Sequence, residues 1–183
     1  IISWESLAFQ PYFTANASNV GYGWWSHDIG GHMKGYRDEE LSTRWIQFGV
    51  FSPIMRLHSS NSAFTGKEPW NYNAVSENIM KRYLKLRHEM IPYLYTMNYH
   101  ASNPRCLESY RVPNEYYFGT ELVVCPITEP TDKAAGTACV KAWIPEGKWY
   151  DIFSGLKYDG GRMLELYRSL EDIPVLAKEG AII

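Results

Sequence analysis

No run of apolar residues in this chain approaches the length of about 20 that a helix needs to cross a bilayer, so no membrane-spanning segment is expected. Charge is sparse and mixed. Lysine and arginine number 18 and aspartate and glutamate 20, for a formal net charge of −2, without a basic or acidic block. Nucleic acid and anionic membrane surfaces are recognised by such blocks, and neither partner is expected. Cys106, Cys125 and Cys139 are too few and too scattered for a disulfide framework or a zinc site. Cys125 and Cys139 lie in apolar strand-like runs and read as buried thiols, which fits a reducing, cytoplasmic compartment. An internal repeat, a low-complexity segment, a signal-peptide pattern and an initiator methionine are all lacking. The sequence opens on Ile1-Ile2-Ser3 and stops at Gly180-Ala181-Ile182-Ile183 inside a strand-like run. Both ends read as cut, so a piece of a longer protein is expected.

Aromatic residues, by contrast, are abundant. They make up 15% of the 183 residues, including 7 Trp and 14 Tyr. Such side chains line carbohydrate pockets, and they also fill β-rich cores. The densest chemistry falls in Gly21-Tyr22-Gly23-Trp24-Trp25-Ser26-His27-Asp28-Ile29-Gly30-Gly31-His32. An aromatic run leading to Asp28, followed at once by paired glycines, reads as a strand (23–27) delivering a carboxylate to a tight turn. Aromatic faces cover the apolar side of a sugar ring and a carboxylate accepts from its hydroxyls. The same residues also suit an ordinary core and turn.

Residues 3–17 are weakly helical, with Ser3 as cap, Glu5 in the first turn and Pro11 as an interruption. A second helix follows Asp38, with Glu39 and Glu40 at its positive end and Leu41, Trp45 and Phe48 on one apolar face. Residues 53–58 read as another strand. Strand, helix, strand predicts parallel strands that end on one side, bringing Asp28 and His58 to a common rim. One long helix is predicted over 75–101, capped by Asn73, kinked at Pro92 and covered on both faces. From Tyr110 the pattern turns to β. Strands are predicted at 121–127 and 139–144, with 149–153 as hairpin partner of the latter across a turn at 145–148. A turn at Asp159-Gly160-Gly161 and a strand over 173–178 complete what reads as a β-sandwich. The fold class is therefore α/β followed by all-β, divided near 101–104.

Three motifs stand in order: Trp25-Ser26-His27-Asp28-Ile29-Gly30-Gly31, Arg44-Trp45-Ile46-Gln47-Phe48-Gly49 and Phe51-Ser52-Pro53-Ile54-Met55-Arg56-Leu57-His58. They resemble the end of the catalytic barrel of glycoside hydrolase family 31, which holds α-glucosidases and α-xylosidases. Pro92-Tyr93-Leu94-Tyr95 resembles the last barrel helix. Asn114-Glu115-Tyr116-Tyr117-Phe118-Gly119, Val124-Cys125-Pro126-Ile127, Trp143-Ile144-Pro145-Glu146-Gly147-Lys148-Trp149-Tyr150-Asp151 and the stretch from Ile173 to Ala181 resemble the sandwich behind it. The resemblance implies the last strands and helices of a (β/α)8 barrel over 1–102 and a proximal β-sandwich over 103–183. The connection at 102–109 is shorter than the family's.

The resemblance implies retaining hydrolysis of α-linked oligosaccharides, which takes two carboxylates about 5–5.5 Å apart. It places nucleophile and acid/base before Ile1, so this chain alone should be inactive. His58 matches the family's sugar-binding histidine. Asp28 matches the aspartate lining or supporting that position. His32 stands where many members put an aromatic at the pocket edge. Trp25 belongs to the same pocket, and Arg56 orients it. Without the resemblance, Asp28 suits a turn cap and His58 a hydrogen-bonded loop histidine. The chemistry needs no metal or organic cofactor, and the sequence spacing offers no ligand set for one. Glu5 and Glu121 read as structural, and Asp151 as a turn or surface group. Two other readings remain: a carbohydrate-binding module using Trp143 and Trp149 as surface platforms, or a structural domain with an aromatic core. A barrel lacking most of its strands should expose edges and associate.

Overall fold

A computed structural model describes residues 1–99 and 114–183, in which helices come first and strands follow. The expected division at 101–104, the short connection at 102–109, the onset of β structure at Tyr110 and Cys106 lie outside those residues. No helix among the described residues is long and apolar enough to cross a membrane.

Helix α1 (Trp4–Asn19) starts at Ser3, whose hydroxyl accepts from the Ser6 amide at 3.2 Å. It runs through Pro11 instead of stopping there. Leu7, Pro11 and Thr14 recur on one buried stripe, and burial of that stripe outweighs the one backbone bond proline removes. Asp38 caps α2 (Glu39–Val50) by accepting from the Leu41 amide at 2.9 Å. Every residue of α2 from Leu41 onward is buried, polar ones included, so it is not the one-sided helix its pattern suggests. The expected single helix over 75–101 is two, α3 (Ala74–Glu89) and α4 (Ile91–Tyr99). Met90 ends α3, and Pro92 sits in the first turn of α4, where its missing N–H costs least. Only Tyr93 of α4 is buried, while Ile91 and Tyr95 are exposed, so the second face is not covered as expected.

The predicted strands at 23–27 and 53–58 are not strands: residues 23–24 form a turn and 53–54 a bend, and the two segments run side by side in parallel without a ladder. The Ile54 amide donates to the Trp25 carbonyl at 3.3 Å and the His58 amide to the Ile29 carbonyl at 3.2 Å, with one parallel bridge between Ile29 and Leu57. Parallel strands are normally stabilised inside larger sheets, and bonds this sparse leave a side-by-side pair.

The β part has two antiparallel sheets. One has the order β1-β2-β7-β4-β5, from β1 (Tyr116–Phe118), β2 (Leu122–Val124), β7 (Val175–Lys178), β4 (Lys148–Asp151) and β5 (Lys157–Asp159). The other pairs β3 (Ala138–Ile144) with β6 (Arg162–Arg168). The expected hairpin between 139–144 and 149–153 is therefore wrong. The turn after Ile144 crosses between sheets, and β4 joins β7 and β5. Trp149 enters the core between the sheets, and its indole donates to the Pro145 carbonyl at 2.8 Å. That turn lies against Gly160 so closely that a Cβ there would meet the Pro145 carbonyl oxygen. Asp151 is a turn group as expected, but buried instead of superficial. It accepts from the Phe153 and Ser154 amides at 2.9 Å and pairs with Arg168 at 2.6 Å. Cys125 is buried as expected, whereas Cys139 is only half-buried on the edge facing Tyr167.

One apolar core runs through both parts, from Leu7, Trp45 and Phe48 to Val124, Trp149 and Leu176. Polar contacts fix its seam. The fully buried Arg44 guanidinium donates to the Asp172 and Ser169 carbonyls at 2.8 and 2.9 Å, and Gln47 to the Leu170 carbonyl at 2.8 Å. Replacing Arg44 by Met removes the seam hydrogen bonds to the Ser169 and Asp172 carbonyls and the buried one to Gln47, and should lower unfolding free energy by about 3 kcal/mol in urea titration. Lys141→Ala, at an exposed pair with Glu165, should stay within about 0.5 kcal/mol.

Candidate functional site

The sparse pair of parallel segments ends in the cluster that carries the chemistry. Asp28 closes the first segment. The Gly31 amide then donates back to the Asp28 carbonyl at 2.8 Å, with Gly30 and Gly31 at φ values of 89° and 75° that side chains rarely adopt. A Cβ on Gly31 would come within 2.9 Å of the Ile1 carbonyl oxygen, so glycine is required for space as well. This turn swings His32 back over Asp28, with Nδ1 3.7 Å from Oδ2. The second segment brings Arg56 and His58. Arg56 donates to Asp28 Oδ1 at 2.9 Å, and His58 Nε2 stands 3.9 Å from the same oxygen. The two imidazoles meet edge to face, 4.4 Å between centroids.

Asp28, His32, Arg56 and His58 are thus brought together, with the carboxylate and both imidazoles half-buried and the guanidinium exposed. Trp25 lines the adjoining cleft of about 240 Å³ beside Ser26, Asp28 and His32. Its indole N–H is committed to Thr14 Oγ1 at 3.1 Å and its ring packs on Phe13. It is a wall of the cleft, held by α1. Sequence spacing gave no metal-ligand set, yet the carboxylate oxygens and the imidazole nitrogens of Asp28, His32 and His58 lie within 4.8 Å of one another. The turn glycines at 30–31 were the available signal for that convergence.

Ser26, His27 and Trp45 stood in the quoted motifs without a role of their own. Ser26 Oγ, both ring nitrogens of His27 and Trp45 Nε1 are buried without a hydrogen-bond partner among the described residues, and all three residues border the same cleft. His27 stacks on Phe48 at 4.7 Å, and burial holds its pKa down at about 4, against a small opposing pull from Asp28. A larger cleft of about 420 Å³ lies elsewhere, between α1, α4 and β1. It is bordered by Glu115, whose carboxylate accepts from the Trp143 amide at 2.7 Å. Burial raises the Glu115 pKa to about 8, against the lowering effect of that bond. This cleft is the roomier of the two, but the convergent donors and acceptors are at Asp28, and chemistry is better argued from them.

Residues 2–97 match the TIM-barrel domain of glycosyl hydrolases family 31, and residues 90–183 match the family's C-terminal domain. The chain belongs to glycoside hydrolase family 31. It is 27% identical to an alpha-xylosidase of Saccharolobus solfataricus over 98% of its own length and 26% of that protein. Alpha-glucosidase 2 of Bacillus thermoamyloliquefaciens is 29% identical, over 98% of this chain and 24% of that one. A family 31 alpha-xylosidase from a soil metagenome, solved with xylose, superposes with a TM-score of 0.85 at 28% identity, covering 99% of this chain and 31% of that one. The chain therefore spans about a quarter of the length of the curated relatives it matches.

The two buried titrating groups oppose each other. Glu115 stays protonated in the fold up to about pH 8 while the unfolded chain ionises near 4.5, so its stability contribution is full below 4.5 and lost as pH rises through 8. His27 ionises in the unfolded chain near 6.5 and in the fold only near 4, so stability falls as pH drops through that interval. Glu115→Gln should remove the alkaline loss, worth at most about 5 kcal/mol. Urea midpoints above pH 8 for the variant and its parent check this.

Proposed function

We propose that this chain is the sugar-holding end of a retaining α-glycosidase of the α-glucosidase or α-xylosidase type, acting on α-linked oligosaccharides. Residues 1–102 supply the closing strands and helices of a (β/α)8 barrel, and 103–183 the proximal sandwich. Asp28 accepts hydroxyl hydrogen bonds of the bound sugar and His58 donates to or accepts from a neighbouring hydroxyl. Arg56 orients the Asp28 carboxylate, His32 stands at the edge and Trp25 forms a wall.

The observation that carries this reading is the convergence of Asp28, Arg56 and His58 from the ends of two parallel segments, 2.9 and 3.9 Å apart. In barrels of this kind the site is built at the carboxyl ends of the strands. Retaining hydrolysis takes two carboxylates about 5–5.5 Å apart. Asp28 is the one carboxylate among the described residues lining the cleft, and it is engaged by a guanidinium. Following the family resemblance, nucleophile and acid/base are assigned upstream of Ile1. The carbohydrate-module alternative loses its platform, because Trp149 is buried and Trp143 half-buried.

Hydrolysis of 4-nitrophenyl α-glucoside and α-xyloside, by this chain and by a version extended upstream through the rest of the barrel, tests the proposal. The extended protein should turn over and this chain should not. His58→Ala in the extended protein should then lower kcat/KM roughly 10- to 100-fold, as for loss of a charge-assisted hydrogen bond. Activity of the present chain alone would overturn the assignment of the carboxylates.

The face around α1 carries Phe9, Tyr12, Tyr22 and Trp24, each about half to two-thirds exposed. That is much apolar surface for one region, of the kind a barrel covers with its own strands and helices. Light scattering of the present chain should show self-association, relieved in the extended protein. A monomer with a sharp cooperative melt would count against it.

A further inference from the structure

We propose that Asp28, His32 and His58 also form a site for a borderline divalent transition metal ion, with Zn²⁺ as the reference case, and that its binding closes the sugar position. The second half rests on the sugar-holding reading above; the first half does not.

The donor set is one carboxylate and two imidazoles, the ligand types that zinc, cobalt and nickel prefer over magnesium or calcium. The donor atoms already face one another. Asp28 Oδ2 is 3.7 Å from His32 Nδ1, Asp28 Oδ1 is 3.9 Å from His58 Nε2, and all three side chains offer an atom within a 4.8 Å group. An ion about 2.0–2.2 Å from each ligand bridges donors roughly 3–4 Å apart. The remaining closure is small, and the three side chains are half-buried.

The surroundings favour the arrangement in one respect and oppose it in another. Arg56 holds Asp28 Oδ1 at 2.9 Å, and a hydrogen bond of that kind behind a ligating carboxylate fixes its orientation and leaves Oδ2 toward His32. The same guanidinium carries a positive charge beside the ion. Its contact with His58 Nδ1 is 3.5 Å, the outer limit of a hydrogen bond, and metal at Nε2 requires the proton on Nδ1, which ends that contact. With three protein ligands the ion keeps open positions for water. Metal at this place takes Asp28 Oδ2 and His58 Nε2, on the two side chains assigned above to sugar hydroxyls, so the two ligands exclude each other.

Titrating Co²⁺ into the 183-residue chain, followed by its visible absorption, and Zn²⁺ by calorimetry tests the site. One ion per chain is expected, with affinity falling on acidification as protons compete for the imidazoles. His32→Phe keeps a ring at a half-exposed turn position while removing a ligand, and should weaken binding at least about 10-fold. His58→Ala should do the same, and His88→Ala, on the exposed face of α3, should change nothing. Absence of saturable binding, or His32→Phe binding as tightly as the parent, overturns the site. In the extended protein, Zn²⁺ should raise KM for 4-nitrophenyl α-glucoside in the parent and leave it unchanged in His32→Phe. Metal binding that leaves hydrolysis untouched overturns the exclusion of sugar. An inactive extended protein overturns the sugar-holding reading, and the Co²⁺ titration then judges the metal site by itself.

Discussion

The constraint on which this structure turns is the burial of two polar side chains of α2 against residues 169–172, where the chain passes from β6 to β7. A guanidinium and an amide taken out of water need partners, and leaving them unpaired is costly. Arg44 and Gln47, both without solvent exposure, find those partners in the carbonyls of Ser169, Leu170 and Asp172. Arg82 on α3 reaches the Glu171 carbonyl and the Asp172 carboxylate, and the Ile173 amide donates to Tyr83. One turn before Arg44 and 3.8 Å from its Nε, Glu40 accepts from the Thr131 amide of the β part. The helices and the sandwich are thereby sewn into one core, and α2 has no free face. Arg87 extends the same logic to the carbonyls of Val50, Ser52 and Pro53, which fixes the entry to the segment bearing Arg56 and His58. The site is accurate because the seam behind it is satisfied.

Those dependencies explain what could be foreseen in the sequence. Asp38 and Asn73 each cap a helix where a short acceptor precedes apolar periodicity, because capping is a local matter of one side chain and the first free amides. The order of motifs carried the family, and with it the division into helical and β parts. Sheet partnership was not local. The turn at 145–148 suits a hairpin as well as a corner between sheets, and the choice is made by Trp149 entering the core and by β6 arriving to pair with β3. A polar residue in a strand-like run likewise carries no label of its depth. Asp151 passed as superficial because its compensations, two turn amides and Arg168, come from local geometry and from a distant strand.

The site was legible to a similar degree. Asp28 and His58 could be joined from the alternation of extended and helical segments, since parallel segments present their ends on one side. The partnership of Arg56 with Asp28, through a particular oxygen, could not, because it depends on register between segments that share two bonds instead of a full ladder. His27 was invisible for another reason. Its neighbours in sequence suggest a polar cluster, but alternation along an extended chain turns it away from Asp28 and onto Phe48.

Asp28 is also left with spare capacity. A carboxylate can accept several hydrogen bonds. Here one strong donor, Arg56, holds Oδ1, while His32 and His58 stand 3.7 and 3.9 Å away, beyond hydrogen-bond distance. The guanidinium keeps the carboxylate aimed, and the imidazoles are near enough to add donors or ligands once something enters between them. A fully paired cluster would have nothing to offer a ligand. A cluster without Arg56 would leave a carboxylate facing two histidines with no fixed direction. Orientation by one partner and incomplete satisfaction by the others are what the proposed sugar and metal readings both require of this arrangement.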